Sequence, residues 1–270
     1  MGIEIVQVDA FASAPFTGNP AAVCVFDELP SATWRQNVAR EMNLSETAFV
    51  IRREDGAFDL TWFTPSTEVD LCGHATLASA HVLWQDAHLP LDRTARFHTR
   101  SGVLICQREG DWIRMDFPAE RPTATVATDT LVDALDHTPV FVGRNRMDML
   151  VELENEAAVR AASPNLHALG ALNIRGLILT AAADEDRDYD FVSRFFAPAA
   201  GVDEDPVTGS AHCCLAPYWT EKLGRDTLTG YQASARGGFV NVEMHGDRVH
   251  LLGQAITVMR SSLLVPYGDS

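Results

Sequence analysis

Apolar residues recur along the chain with two periods, and the switches between them mark the elements. Runs 23–26 and 47–52 are rich in valine, isoleucine and phenylalanine and read as strands. Between them Leu29-Pro30-Ser31 opens a segment that ends at Met42, with Ser31 in the cap position, which predicts a helix. Segments 101–118 and 237–252 alternate apolar and polar positions. They break at Glu109-Gly110-Asp111 and His245-Gly246-Asp247, which predicts two β-hairpins. Alanine-rich segments 74–86 and 209–223 predict helices, each with a glycine at its start. Residues 155–162 read as a helix stopped by Ser163-Pro164, and 176–181 as a strand before an acidic turn at 184–190.

The pattern occurs twice. Trp62-Phe63-Thr64-Pro65 leads to Val69-Asp70, and Phe195-Phe196-Ala197-Pro198 leads to Val202-Asp203 at the same spacing, 133 residues on. Gly73-His74-Ala75-Thr76 then matches Gly209-Ser210-Ala211-His212 at an offset of 136, and the same offset relates Ser101-Gly102-Val103-Leu104 to Gly237-Gly238-Phe239-Val240. Three matches in order at a nearly constant offset point to an internal duplication. The expected organisation is an N-terminal half over 1–118, which 256–270 can complete, a Pro/Thr/Ala-rich linker at 119–128, and a C-terminal half over 129–255. Two similar halves about a pseudo-twofold axis would leave a cleft, with corresponding loops facing each other across it.

Composition narrows the chemistry. Of 270 residues, 46% are hydrophobic and 21% charged, proportions that argue against disorder. With 37 acidic and 21 basic residues the net charge is −16, so neither nucleic acid nor a membrane surface is an expected partner. Lys222 is the single lysine and reads as the end of a helix before a Gly224 cap, which disfavours Schiff-base and pyridoxal phosphate chemistry. The five cysteines are odd in number, no leader peptide is visible and no apolar run approaches a membrane span. A cytoplasmic, reducing setting is expected.

Both Gly-x-Ala segments open helices, whose unpaired amides and dipole attract anions. Gly73 and Gly209 would let a ligand approach the backbone closely, so a small carboxylic acid is the expected ligand even of a very acidic protein. In Asp203-Glu204-Asp205-Pro206, three adjacent carboxylates must be solvated, neutralised or protonated; Asp205, extended before a proline and four residues before Gly209, is the best placed. His74 sits at a helix N-terminus, where the dipole favours a neutral imidazole able to donate to an oxyanion. Glu46 precedes an apolar strand, where a partly buried carboxylate can both give and take a proton.

Dinucleotide, phosphate-loop, nucleophile-elbow and His-Glu-x-x-His signatures are absent. Cys72-Gly73-His74 and His212-Cys213-Cys214 offer soft ligands without structural zinc spacing, so no metal is expected.

Five segments in order resemble the PhzF-like family, named for the phenazine biosynthesis isomerase, within the diaminopimelate epimerase-like fold. They are Val8-Asp9-Ala10-Phe11, Phe16-Thr17-Gly18-Asn19-Pro20-Ala21, Asn43-Leu44-Ser45-Glu46-Thr47, Asp70-Leu71-Cys72-Gly73-His74-Ala75-Thr76 and Glu204-Asp205-Pro206-Val207-Thr208-Gly209-Ser210-Ala211-His212. Gln232 with Arg236 is a weaker marker. The resemblance implies an α+β fold of two halves, each a curved mixed or antiparallel sheet wrapped around a central helix. It implies a homodimer, no cofactor, and a reaction like the isomerisation of trans-2,3-dihydro-3-hydroxyanthranilate. By motif position it makes Glu46 the general acid/base and sets His74, Asp205 and Ser210 to bind or polarise substrate, with Thr208 and the amides of Gly73 and Gly209 beside them. Related racemases use two thiols; Cys72 matches one, but Thr208 and Ser210 stand where the second is needed. A racemase using Cys72 and a non-catalytic binding protein remain the alternative readings.

Overall fold

The computed structural model describes residues 2–265. The chain forms two units, one ending at Asp116 and resuming at Leu252, the other Phe117–Leu251. Both are mixed sheets with few helices, an α+β fold.

In the first unit Ile3–Ala10 and Asn19–Phe26 are antiparallel. Asn19–Phe26 then runs parallel to Glu46–Arg52, connected through the helix Ala32–Met42, which Ser31 caps by accepting from the Trp34 amide. Glu46–Arg52 is antiparallel to Phe58–Phe63, which is antiparallel to Glu68–Val69 and parallel to Ala95–Thr99. The second crossover is the helix Gly73–Gln85, with ten of its 13 residues buried. A helix apolar on every side belongs inside its unit. The hairpin Gly102–Glu109 and Trp112–Pro118 follows. Ala255–Leu263 returns to pair antiparallel with Ile3–Ala10. Phe26, Phe49 and Phe63 pack with Val38 and Ala39 between the first helix and the sheet, each large side chain contributing about 1.5–3 kcal/mol.

The second unit repeats this order of pairings. Phe141–Arg144 is antiparallel to Met149–Glu152, which is parallel to Leu177–Ala182 across the short helices Glu156–Ala161 and Leu166–Gly170. Leu177–Ala182 is antiparallel to Phe191–Ala197, itself antiparallel to Val202–Asp205 and parallel to Thr227–Gln232. The helix Gly209–Leu223 makes that crossover, with ten of its 15 residues buried. The hairpin Gly238–His245 and Arg248–Gly253 ends the set.

Part of the 119–128 stretch is structured. Thr123 and Ala124 form a strand paired with Arg144 and Gly143, and the Thr125 amide donates to Val142 O at 3.0 Å. The deeper cause lies in the helix. Pro217 has no amide to give the Cys213 carbonyl one turn earlier, and the Glu120 amide donates to that carbonyl at 2.9 Å instead. Proline-rich composition suggested a tether, but the segment satisfies a helix and extends a sheet. The return to the first unit also comes earlier than expected, at Leu252 rather than 256.

Candidate active site

Glu46 is placed by a tight exit from the first helix. Asn43 ends that helix with φ of 49°, and within three residues the chain enters the strand Glu46–Arg52. Parallel pairing sets Glu46 beside Ala21, and Asn19, buried, is two residues earlier on the same strand. Cys72 precedes the helix Gly73–Gln85 in extended conformation and caps it with no side-chain bond. His74, in the first turn, is 4% exposed. Its Nε2 is 3.1 Å from Glu46 Oε2. The Asn19 amide donates to its Nδ1 at 3.1 Å, and Cys72 Sγ is 3.5 Å from that same nitrogen.

At His74 the neighbouring groups act against the helix dipole. Burial opposes the imidazolium, but Cys72 and Glu46 favour it and outweigh burial, so His74 is raised well above its ordinary range. Burial pushes the Cys72 thiol up to about 11, so near neutral pH it carries no charge. With Cys72 uncharged, Glu46 is the neighbour left to favour the imidazolium. A proton on Nδ1 requires Asn19 to turn its amide carbonyl toward the ring. Half-buried Glu46 and buried His74 stand together at the uncapped start of a helix, an arrangement able to hold a proton and move it to a bound acid.

In the second unit the three adjacent carboxylates separate into three states. Asp203 is exposed, Glu204 is held by two bonds from Arg194 at 2.7 and 2.8 Å, and Asp205 Oδ2 accepts from Thr208 Oγ1 at 2.5 Å. Gln232, fully buried, fixes this loop: its Oε1 accepts from the Thr208 amide at 2.8 Å, and its Nε2 donates to Asp205 O at 2.7 Å. Thr208 precedes the helix Gly209–Leu223 with no side-chain cap, so Gly209 and Ser210 begin it with open amides, as Gly73 and His74 begin theirs. Ser210 Oγ accepts from Arg175 at 2.9 Å, and Arg175 grips buried Asp148 through both carboxylate oxygens at 2.8 and 2.5 Å.

Arg175, Asp148 and Asn19 were not singled out by sequence. Asn19 lies inside one of the quoted motifs; Arg175 and Asp148, 27 residues apart, carry no local signal. Lys222 is committed elsewhere, 2.6 Å from both oxygens of Glu152, which also accepts from Tyr218. His212 is fully buried, its Nδ1 2.8 Å from Thr208 O, and burial lowers it to about 4. Glu46, Cys72 and His74 hold donor atoms within 4.8 Å of one another and could take a metal ion, as could Glu243, His245 and His250.

The strand registers align the two units residue by residue. Ala22, Thr47 and Phe63 lie side by side in the first, and Met149, Leu177 and Phe196 in the second. The residue before Thr47 is Glu46; the residue before Leu177 is Gly176. A Cβ at Gly176 would meet the Phe195 ring at 2.2 Å. With the Phe195 ring where it stands, a counterpart to Glu46 would collide with it.

Known proteins agree with this architecture. A family model described as phenazine biosynthesis-like protein, PhzC-PhzF, matches residues 8–261. An uncharacterized isomerase of Halalkalibacterium halodurans is 51% identical, over 98% of this chain and all of its own length. The crystal structure of a PhzF-family phenazine biosynthesis protein from Enterococcus faecalis superposes with a TM-score of 0.93 at 39% identity, covering 98% of this chain and all of that one. A probable proline racemase from Agrobacterium radiobacter shares the fold at 10% identity, with a TM-score of 0.66 over 98% of this chain and 93% of its own. The chain belongs to the PhzC-PhzF, phenazine biosynthesis-like family, and it is an isomerase-type enzyme with an epimerase-like fold.

Proposed function

We propose that this isomerase moves a proton within a small carboxylic acid without a cofactor, with Glu46 as the general acid and base. One observation carries the reading: Glu46 and His74 stand 3.1 Å apart at an uncapped helix start, while the matching position of the other unit is a glycine where a side chain would collide with the Phe195 ring. One carboxylate that removes a proton and returns it produces an isomer. Stereoinversion needs a second base. His74 shares the proton with Glu46 and steadies negative charge that develops on the substrate. The amide of Gly73 binds the acid's carboxylate at the uncapped helix start beside this pair. In the second unit Asp205, Thr208, Ser210 and the amide of Gly209 form a substrate-binding loop of the same kind, in line with its own uncapped helix and with Gln232, which fixes the loop. The ion-paired Lys222 supports a reaction without a Schiff base. A substrate similar to trans-2,3-dihydro-3-hydroxyanthranilate is the first to test.

The proposal extends to a homodimer, read out by sedimentation equilibrium, and to a reducing cytoplasmic location, which five free and buried cysteines favour. No helix among the described residues is long and apolar enough to cross a membrane.

The test is Glu46→Gln in deuterated water, with proton exchange followed on a panel of small acids beginning with that substrate. Loss of a positioned acid/base lowers the exchange rate by about 10²–10⁴, while binding measured by calorimetry persists. Unchanged exchange overturns the assignment. The racemase reading has its own support, since Cys72 Sγ lies 3.5 Å from His74 Nδ1; inversion at a chiral centre, lost on Cys72→Ser, would establish it.

A further inference from the structure

The hairpin Gly238–His245 and Arg248–Gly253 carries a second cluster of metal-binding side chains, outside the proposed proton-transfer site and wholly within the second unit. Strand alternation explains its assembly. Val240 and Val242 are buried, so Glu243 and His245 fall on the solvent side. The tight turn at Gly246-Asp247, with Gly246 at φ of 67°, brings the chain back. Val249 and Leu251 are again buried, which sends His250 to the same side as Glu243 and His245.

The three side chains converge on one point. His245 Nε2 is 3.6 Å and His250 Nδ1 is 3.8 Å from the same Glu243 oxygen, Oε2. The imidazole rings are 4.2 Å apart and tilted by 40°. All three ligand atoms lie within 4.8 Å of one another. These separations are too long for good hydrogen bonds. They approach the spacing of about 3.4 Å between neighbouring ligands of a tetrahedral zinc ion, whose bonds to nitrogen and oxygen are about 2.0–2.2 Å. A few tenths of an ångström closes the two pairs that share Glu243, and the third pair, within 4.8 Å, closes by rotation of the two imidazoles of up to about 1.4 Å.

We propose that Glu243, His245 and His250 bind one divalent transition-metal ion of the Zn²⁺ class, with water completing the shell. Two imidazoles and one carboxylate suit zinc, cobalt or nickel; calcium and magnesium prefer all-oxygen sites. The ion ties the two strands of the hairpin across their solvent face, so its binding stabilises the folded protein.

Titration of the purified protein with Zn²⁺ by calorimetry tests this. Binding saturates at one ion per chain. His245→Ala and His250→Ala each weaken it about tenfold or more, and His167→Ala, an exposed histidine of the same unit, leaves it unchanged. Saturating Zn²⁺ raises the Tm of the parent protein and not that of His245→Ala. Should His250→Ala fail to fold, Glu243→Gln, at a one-third exposed side chain, supplies the same comparison. Absence of saturable binding overturns the proposal. So does affinity that none of these variants alters, which assigns the ion to other ligands such as Glu46, Cys72 and His74.

Discussion

The two helix-start loops share a backbone plan and differ in what stands on it. In each unit a strand runs to a short acidic segment, an extended residue precedes a glycine, and a buried helix begins without a side-chain cap. After the glycine the first unit places His74, held by Asn19 and Glu46. The second places Ser210, held by Arg175 and through it by Asp148. Gly176 stands where Glu46 would be repeated. Two similar helix starts thus carry different chemistry, a carboxylate–imidazole pair on one and, on the other, an arginine-held serine beside Asp205. Catalysis needs this asymmetry if the proton is to leave and return through the same group.

The largest structural effect expected is on the side without the base. Arg175→Ala leaves the Asp148 carboxylate, 1% exposed, with its main counter-charge gone. Breaking a buried ion pair from one side costs about 3–5 kcal/mol, measured by urea unfolding. Ser210→Ala removes only the outer bond of that chain, so a similar loss there would mean that Ser210 rather than the ion pair organises the loop.

Next comes the charge on His74. Its folded-state pKa is raised above that of the unfolded chain, so its contribution to stability is fully present below the ordinary histidine pKa of about 6.5. That contribution fades as pH rises through the folded value. His74→Gln therefore falls behind the parent protein most at pH 5–6, by about 1.5–3 kcal/mol for a charge-assisted bond, and the gap narrows in alkali. Ser210 does not titrate in this range, and the gap for Ser210→Ala stays flat. A Tm difference for His74→Gln that grows with pH would show that the imidazole is held neutral.

Gly176→Ala probes why the duplication is incomplete. Its Cβ would enter the Phe195 ring, an overpacking that costs about 1–3 kcal/mol. Phe195→Leu in the same chain relieves the clash, so the two substitutions couple in a double-mutant cycle. Additive effects would mean that the ring shifts freely and that Gly176 is not confined by it.

The sequence made visible what is local and hid what is distant. Both central helices could be read because glycine and an alanine-rich run lie together, and the hairpins because apolar and polar residues alternate up to a glycine turn. The Glu46 position came from a motif, since a carboxylate at a strand start has no distinctive spacing. Pairing of Ile3–Ala10 with Ala255–Leu263 joins opposite ends of the chain, and Arg175 finds Asp148 across 27 residues; no periodicity encodes either. The helix start alone does not define the surroundings of His74, because a carboxylate from a strand 28 residues earlier in sequence stands 3.1 Å from its ring. The short strand Thr123–Ala124 was hidden by composition, because its partners Gly143 and Arg144 lie some 20 residues on and the carbonyl that Pro217 leaves open, which the Glu120 amide takes, lies farther still.

The smallest effect is expected at Cys72, whose counterpart is Thr208. A thiol with a pKa near 11 is ionised in only about one molecule in a thousand at pH 8. It is a poor base, and alkylation by iodoacetamide should be slow in the native protein and rapid after unfolding. Serine in its place keeps a polar atom near His74 Nδ1 and needs no thiolate, so Cys72→Ser should retain proton exchange to within about tenfold, against the 10²–10⁴ loss expected for Glu46→Gln. Thr208, bonded to Asp205 and Gln232, already shows that a hydroxyl serves the same backbone position. If Cys72→Ser instead matches the loss at Glu46, the first unit uses two proton-transfer groups, a carboxylate and a thiol.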